Sequence, residues 1–287
     1  MSANDSRLSF ITDEITQDFE KALKIAQDYG IKAVEVRQVW GKNIVEFSDE
    51  DLNRMNQLLE KYSMSISVIA GPFGKCLLPG SRFDWFKSKK NFTLNPRYNL
   101  LLFDRLVEIS DVLKCNNLRC FNFFKFGVKH KDTKGFQKAL SELRPYVEKA
   151  ESLGKILLLE NEHVCFADTI NNTYRYLKEM GSDALKLNLD PGNFYSAKEG
   201  TTVEDYEFLY EDDLVAHLHI KDPYKKVPIL GSLFGVVGEG RINYDLLITQ
   251  ALDHNYQGFF SLETHSATKG EEVSKNSLEY LSKLLLD

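Results

Sequence analysis

Four side chains that can bind metals lie near the ends of predicted strands whose bodies are apolar. Glu160 ends the run LLLE, Asp190 ends LNLD, His219 lies in AHLHIKD and Glu263 ends FFSLE. Burying a carboxylate beside such runs costs several kcal/mol unless a partner or a cation offsets it. Three converging carboxylates would also repel one another. A divalent metal held by all four side chains removes both costs, so the pattern predicts a metal site.

The predicted ligand set, three carboxylates and one imidazole, suits a hard or borderline ion better than a structural zinc held by thiolates. We expect Mn²⁺ first, with Co²⁺, Mg²⁺ or Zn²⁺ as alternatives. Four protein ligands leave coordination positions for hydroxyl and carbonyl oxygens of a substrate. A helix cap or a salt bridge would explain any one of these residues alone. Their occurrence at consecutive late strand ends favours the metal.

Eight short apolar runs alternate with longer amphipathic stretches along the chain. The predicted strands are residues 9–13, 33–39, 65–70, 118–124, 155–160, 185–190, 215–221 and 258–263. The predicted helices are residues 19–29, 49–62, 97–114, 135–153, 169–180, 244–255 and 271–285. Three of these helices stop at a glycine, at Gly30, Gly154 and Gly181, which is typical of a left-handed C-terminal cap.

This alternation predicts an α/β protein, a single (β/α)8 TIM barrel that spans residues 1–287. An open doubly wound sheet has the same alternation and stays an alternative on strand count alone. No GxGxxG or GxxxxGK[ST] loop follows a predicted strand, which argues against nucleotide binding. Long connections at residues 71–95 and 223–240 follow strand ends, and we expect them to be lids or binding loops.

The composition bounds the partners and the compartment. The 287 residues are 43% hydrophobic and 27% charged, which suits a globular protein with a sizeable core. A net charge of -6 and a pI near 5.6 argue against nucleic-acid and membrane partners. The opening MSANDSRLSF lacks the pattern of a signal peptide, so we expect a cytoplasmic protein. The four cysteines are scattered and are interpreted as ordinary buried thiols.

Further polar residues on the predicted strands are candidates for substrate contact. Arg37 shares a face of the second strand with Glu35, and it either reaches a substrate or forms an ion pair there. Lys221 lies two residues after His219 on the same face, where it could hold an anionic or enediolate oxygen. His217, two residues before His219, is expected to support the metal site or to fill the core.

The loops after the strands add candidates. Glu162 and His163 directly follow the LLLE strand, and they are either supporting or acid–base residues or ordinary polar loop residues. Asn122, on the fourth strand, and His265, just past the last predicted ligand, are expected to line the pocket. Of the residues named here, Glu162, His163 and Asn122 are counted among the substrate-binding candidates, together with Arg37 and Lys221.

Six segments of the sequence resemble those of a known family. They are DEITQDFEKALKIAQDYGIKAVEVRQVWGKN, LLLENEH, NLDPGNF, HLHIKD, GEGRINY and GFFSLETH. They are similar to segments of the xylose-isomerase-like TIM barrels, which include sugar phosphate isomerases and epimerases, ketose 3-epimerases, hydroxypyruvate isomerase and inosose dehydratase. The resemblance runs through nearly the whole chain and implies that Glu160, Asp190, His219 and Glu263 bind the metal. It also implies that Glu160 and Glu263, on opposite sides of the substrate, transfer protons.

Three positions depart from the pattern of the ketose epimerases. A substrate-binding histidine of those enzymes is Asn193 here, a second glutamate is replaced by Phe166, and an arginine aligns roughly with Lys225. We keep Asn193 as a substrate-binding candidate at its position. The predicted metal ligands match those of the ketose epimerases, whereas the residues that bind the substrate hydroxyl groups differ. We therefore expect a substrate other than a simple free ketose.

Together these features predict a divalent-metal-dependent sugar isomerase or epimerase that abstracts a proton next to a carbonyl and forms an enediolate. The alternative is a metal-dependent lyase on a keto-sugar or keto-polyol, either inosose-dehydratase-like or C-glycoside-cleaving, because the same intermediate can expel a β-substituent. More remote alternatives are an endonuclease IV-like DNA repair enzyme and a non-catalytic sugar-binding subunit. The expected partner is a small sugar or polyol, and a homo-oligomer is an open expectation.

Overall fold

The computed structural model describes residues 7–80, 95–125, 133–200, 202–227, 231–266 and 269–286. Its strands are β1 Leu8–Phe10, β2 Ala33–Val36, β3 Gln38–Val39, β4 Lys42–Asn43, β5 Ser65–Ile69, β6 Asn117–Cys120, β7 Ile156–Glu160, β8 Leu185–Leu189, β9 Val215–Ile220, β10 Asp222–Val227, β11 Gly231–Gly235 and β12 Phe259–Leu262. Its α-helices are α1 Thr12–Ile15, α2 Phe19–Asp28, α3 Asp49–Tyr62, α4 Pro96–Leu113, α5 Thr133–Ser152, α6 Ile170–Met180, α7 Pro191–Ser196, α8 Glu207–Glu211, α9 Tyr244–Asp253 and α10 Gly270–Leu286.

Eight of the strands form one parallel sheet in the order β1-β12-β9-β8-β7-β6-β5-β2. A parallel bridge between Ile11 and Glu35 joins the two ends of this order, so the sheet curves into a barrel. All eight predicted strands and all seven predicted helices are present, and the helices surround the sheet. The (β/α)8 barrel prediction is confirmed, and the open doubly wound sheet is excluded.

Local signals explain why the elements begin and end where they do. Helix α3 begins after Ser48, whose hydroxyl accepts the backbone N–H of Asp51, while the Asp51 side chain accepts the backbone N–H of Ser48. Helix α6 ends at Gly181, which has a φ of 64° and is the predicted left-handed cap. Strand β7 is buried along almost its whole length, as expected for a parallel strand covered on both faces.

The second long connection differs from its prediction. Strands β10 and β11 lie within it and form an antiparallel hairpin. The sequence DPYKKV has no clear alternation of apolar and polar residues, which is why the pattern did not predict a strand. The first long connection, residues 71–95, lies mostly outside the described residues. The short helices α1, α7 and α8 were not predicted, because four to six residues carry too little periodicity.

The four cysteines are buried thiols, as predicted, and none of them forms a disulfide. Burial raises the pKa of the Cys115 thiol to about 11, so this thiol is un-ionised and unreactive near neutral pH. Among the helices of the described residues, none combines the length and the apolar character needed to cross a membrane.

Asp222 anchors the segment that follows the β10–β11 hairpin. Its carboxylate is fully buried. It accepts four backbone N–H groups: Oδ2 accepts those of Gly238 and Gly240, both at 3.0 Å, and Oδ1 accepts those of Arg241 at 2.9 Å and Ile242 at 3.1 Å. One side chain therefore fixes the return of the chain from the hairpin to α9.

We predict that Asp222→Ala lowers the free energy of unfolding by about 3 kcal/mol, because four backbone N–H groups lose the buried carboxylate that accepts them. Urea denaturation measures the change. Asp253→Ala, the same substitution at an exposed position of α9, is the matched control and should change stability by less than about 0.5 kcal/mol. Equal effects of the two substitutions would contradict the anchoring role.

Candidate metal centre and active-site cavity

The structure brings the four predicted ligands together at the carboxyl end of the barrel. Glu160 ends β7, Asp190 directly follows β8, His219 lies in β9 and Glu263 directly follows β12. One ligand atom from each of them lies within 4.8 Å of all the others, and all four side chains are buried. Ligands on opposite sides of one such ion are about 4.3 Å apart, since metal–ligand bonds are about 2.0–2.2 Å. The donor set and its spacing therefore fit one divalent ion.

Basic side chains reach the same carboxylates. The ammonium Nζ of Lys221 is 2.6 Å from Asp190 Oδ2 and 2.7 Å from Glu263 Oε2. The guanidinium Nη1 of Arg119 is 3.2 Å from Glu160 Oε2. Each of the three carboxylates thus has a positively charged partner.

The pKa shifts reflect the density of negative charge. Burial, with repulsion from Glu263 and Glu160, outweighs the attraction of Lys221 and raises the pKa of Asp190 to about 6. Burial opposes protonation of His219, but the neighbouring carboxylates outweigh it and raise its pKa to about 9. The raised pKa of His219 means that the surrounding carboxylates attract positive charge, which is the electrostatic requirement for binding a cation.

The chain around Asp190 holds this residue in a fixed place. Asp190 caps α7, because its Oδ1 accepts the backbone N–H of Asn193 at 2.9 Å. The side chain of Asn161 accepts the Asp190 N–H at 2.7 Å and donates to the Asp190 carbonyl at 2.9 Å. A Cβ on Gly192 would lie 2.6 Å from Lys221 Cγ, so only glycine leaves room for the lysine here. The motif NLDPGN thereby positions both the Asp190 carboxylate and the Lys221 ammonium.

Glu35 lies in β2, whereas Arg37 directly follows this strand instead of sharing its face as predicted, and the two residues have different partners. Glu35 is fully buried, and its carboxylate oxygens lie 2.9 Å from His217 Nε2 and 3.0 Å from His219 Nε2. Burial opposes its ionisation, but the attraction of both imidazoles keeps the pKa of Glu35 well below its usual range. Arg37 forms the ion pairs that were one of its two predicted roles, but with other acids, because barrel closure brings two histidines to Glu35. His217 is buried beside His219 and contacts the same carboxylate.

Arg37 lies at the mouth and contacts three acids. Its Nη1 donates to Glu263 Oε1 at 3.0 Å, and its Nη2 donates to Asp13 Oδ2 at 2.9 Å and Glu14 Oε1 at 2.6 Å. These contacts hold the guanidinium rigidly beside Glu263. Arg37 can therefore orient the Glu263 carboxylate while its side chain also lines the cavity.

A cavity of about 600 Å³ opens above the four residues. That volume is ample for a small polar ligand. Five of the six substrate-binding candidates line it, namely Arg37, Glu162, His163, Asn193 and Lys221. The remaining lining residues are Gln38, Asn43, Pro72, Lys75, Arg119, Glu160, Ser196, Ser232, Phe234, Glu263 and His265.

Asn122 does not belong to this lining. It is fully buried, and its Oδ1 accepts the backbone N–H of Ala167 at 3.0 Å, so its described role is to hold a neighbouring loop. Glu162 does line the cavity, 3.0 Å from Lys75 Nζ and 2.9 Å from His163 Nδ1. Burial opposes its ionisation, but His163 and Lys75 lower the pKa of Glu162 far below its usual range.

The remaining walls of the cavity come from the connections that follow the barrel strands. Asn193 Nδ2 donates to Glu160 Oε1 at 3.2 Å, so this residue orients a predicted ligand as well as facing the cavity. His265 Nδ1 is 3.6 Å from Glu263 Oε1. The ring of Phe234, on the β10–β11 hairpin, lies 5.8 Å from the His265 ring and forms an apolar wall. The hairpin is thus part of the cavity wall.

Sequence reasoning missed Arg119, Lys75 and Phe234. Arg119 carried a usable signal, because a charged residue inside the strand NLRC must have a partner in the barrel interior. Lys75 and Phe234 lie in connections whose sequences have no periodicity. Only the folded chain brings them to the cavity.

The comparisons with known proteins agree with this architecture. The family model "Xylose isomerase-like TIM barrel" matches residues 23–284. The chain belongs to this family. A search of curated proteins found no significant match.

Several solved structures resemble this xylose isomerase-like barrel. The probable 3-DHS dehydratase AsbF from Bacillus anthracis has 18% identity and a TM-score of 0.70, over 96% of this chain and 98% of that one. The 3-keto-D-glucoside 4-epimerase YcjR from E. coli has 14% identity and a TM-score of 0.71, over 98% of this chain and 100% of that one. The IOLI protein with a bound zinc atom has 13% identity and a TM-score of 0.75, over 97% of both chains. At such identities the likeness shows the shared fold.

We predict that Arg119→Met lowers the free energy of unfolding of the metal-free barrel by about 3 kcal/mol, because Glu160 loses its charged partner and the Ala70 carbonyl loses its buried donor. Urea denaturation in the presence of a chelator tests this. The control is Arg175→Met, which breaks a surface pair with Glu179 and should cost less than about 1 kcal/mol. An Arg119 variant as stable as the control would refute the pairing.

Proposed function

We propose that this chain is a divalent-metal-dependent sugar isomerase or epimerase. Glu160, Asp190, His219 and Glu263 would hold the ion. The observation that carries the proposal is their convergence, buried and within 4.8 Å of one another, at the base of an open cavity. Mn²⁺ is our first choice for the ion, and the zinc atom in the IOLI structure makes Zn²⁺ the next one to test.

A bound divalent ion would polarise a substrate carbonyl and its neighbouring hydroxyl, which acidifies the C–H bond between them. Glu160 and Glu263 end different strands and both line the cavity, so they can approach a substrate from two sides. One carboxylate removes the proton and the other returns it. The fixed contacts of Arg119 to Glu160 and of Arg37 to Glu263 hold both carboxylates in place.

Lys221 is the residue we assign to the developing negative charge on the substrate oxygen. Its ammonium lies among the proposed ligands and lines the cavity, so it is close to any oxygen that approaches them. A charge-assisted hydrogen bond from this group stabilises an enediolate oxygen more than the parent carbonyl.

A lyase is the second candidate. Loss of a β-substituent can follow the same proton abstraction, and the fold is shared with a probable dehydratase as well as with an epimerase. The same four residues would serve both reactions. The fate of the substrate, rather than the metal site, distinguishes them.

We predict that the Mn²⁺-loaded protein exchanges a carbon-bound hydrogen of a suitable keto-sugar with deuterated buffer. Incorporation without loss of a group supports an isomerase or epimerase, whereas release of water or an aglycone supports the lyase. Glu160→Gln and Glu263→Gln should each slow exchange by about 10²–10⁴-fold, because an amide cannot accept the proton. Glu279→Gln, on the exposed surface of α10, is the matched control and should keep the wild-type rate.

Two results would count against this proposal. One is a purified protein that binds no divalent ion in a calorimetric titration. The other is a metal-loaded protein that catalyses neither exchange nor elimination with any keto-sugar or keto-polyol tested.

We predict that Lys221→Met weakens the substrate interaction by about 10–100-fold, seen as a higher KM or a lower kcat/KM, while the metal content stays at the wild-type level. The matched control is Lys225→Met, which removes an exposed lysine of β10. Loss of metal from the Lys221 variant would show that the lysine supports the ligands rather than the substrate. An equal effect of the Lys225 variant would move the substrate contact to the hairpin.

A further inference from the structure

A buried cluster of four side chains lies beneath the proposed metal site. Glu35 is its centre. Its Oε2 lies 2.7 Å from the Ser261 hydroxyl, which donates to it, and 2.9 Å from His217 Nε2. Both of its oxygens contact His219 Nε2, at 3.0 and 3.2 Å. All four residues are at most 1% exposed, so bulk water does not compete for these contacts.

The two nitrogens of His219 face different groups. Nε2 points to Glu35, whereas Nδ1 is 3.8 Å from Glu160 Oε2 and 3.7 Å from Glu263 Oε2. An ionised carboxylate can only accept hydrogen bonds, so it selects the tautomer that carries hydrogen on Nε2. With hydrogen on Nε2, Nδ1 is the nitrogen whose lone pair would bind an ion, and binding would displace any proton that Nδ1 carries. Asn188 Nδ2 lies 3.3 Å from Nδ1 and 3.1 Å from Nε2, so this amide faces the ring without selecting one of its nitrogens.

We propose that Glu35 is the positioning residue of the metal centre, fixing the tautomer and the ring orientation of His219. This inference rests on the metal site of the proposed function. Hydrogen bonding of a ligating imidazole to a carboxylate raises its basicity and prevents the ring from turning. Glu35 acts through His219 and does not itself touch the cavity.

Glu35 owes its position to the closure of the barrel. It forms the bridge with Ile11 that joins the β1 and β2 ends of the sheet, and the register of β2 against β5 shifts between Val34 and Glu35. On the other side, Ser261 of β12 is directly paired with His219 of β9. Closure of the barrel between β1 and β2 therefore brings the Glu35 carboxylate to His219. The proposed metal centre depends on this contact, which forms only in the complete barrel.

The test is a calorimetric titration of Mn²⁺ into the metal-free full-length protein and its variants. We expect Glu35→Gln to bind Mn²⁺ about 10–100-fold more weakly than the wild type. Glutamine keeps the shape of the side chain but loses its charge, and it can donate a hydrogen bond where the carboxylate can only accept one. Ser261→Ala is the matched control, because it removes one contact to the same Glu35 oxygen but leaves His219 untouched. Its Mn²⁺ affinity should stay within about threefold of the wild type.

A spectroscopic measurement separates positioning from general stability. The visible absorption of the Co²⁺-loaded protein reports the geometry of the ligands, so it should change in Glu35→Gln and not in Ser261→Ala. A folded Glu35→Gln protein with wild-type Mn²⁺ affinity and an unchanged Co²⁺ spectrum would overturn the inference. If Glu35→Gln does not fold, Glu35→Asp retains the charge but draws it back from the ring, and wild-type affinity in that variant would also overturn it.

The stoichiometry distinguishes the remaining outcomes. Glu35, His217 and His219 are themselves spaced closely enough to hold an ion. Two Mn²⁺ per wild-type chain, one of them lost in Glu35→Gln, would make Glu35 a direct ligand and overturn the positioning role. A wild-type protein that binds no Mn²⁺, Co²⁺ or Zn²⁺ would reject the proposed function, and the inference with it. Weaker Mn²⁺ binding that is confined to Glu35→Gln would support both the proposed function and the positioning role of Glu35.

Discussion

The mutual repulsion of buried carboxylates at one mouth of the barrel is the constraint around which this site is built. Glu160, Asp190 and Glu263 end or follow parallel strands, and parallel strands deliver their last residues to one edge. Each carboxylate is removed from water, where its charge would be well solvated. Positive charge must therefore come to them. In the protein alone it comes from Lys221, Arg119 and Arg37.

These compensating groups come from three different places in the chain. Lys221 follows β9, Arg119 lies in β6, and Arg37 follows β2. Each makes a further contact that fixes it: Gly192 leaves room for Lys221, the Ala70 carbonyl accepts from Arg119, and Asp13 accepts from Arg37. The acidic cluster is thus tied to the barrel on several sides, which limits how far its ligands can move when a cation arrives.

Much of the fold and the centre of the site could be predicted because both are local properties of the sequence. An apolar run marks a strand, and a polar residue at its end, such as Glu160 or Asp190, marks the mouth. The partners of Glu35 could not be predicted in this way. They depend on which strands meet when the barrel closes, and His219 is 184 residues away in sequence. Asn122 was misjudged for a related reason: β6 ends at Cys120, so Asn122 lies past the strand, where a loop N–H takes its oxygen.

The barrel strands fix the proposed ligands, whereas variable connections form the upper walls of the cavity. This contrast explains why membership of the family does not identify a substrate. The proposed ligands sit on barrel strands or directly after them, where the closed sheet sets the geometry. The upper walls come from connections: His163 from the loop after β7, Phe234 and Ser232 from the β10–β11 hairpin. Ser232 also reaches α7, where its hydroxyl is 2.9 Å from that of Ser196. Such connections can change without disturbing the barrel, so related barrels can combine one way of activating a C–H bond with different ways of recognising the molecule that carries it.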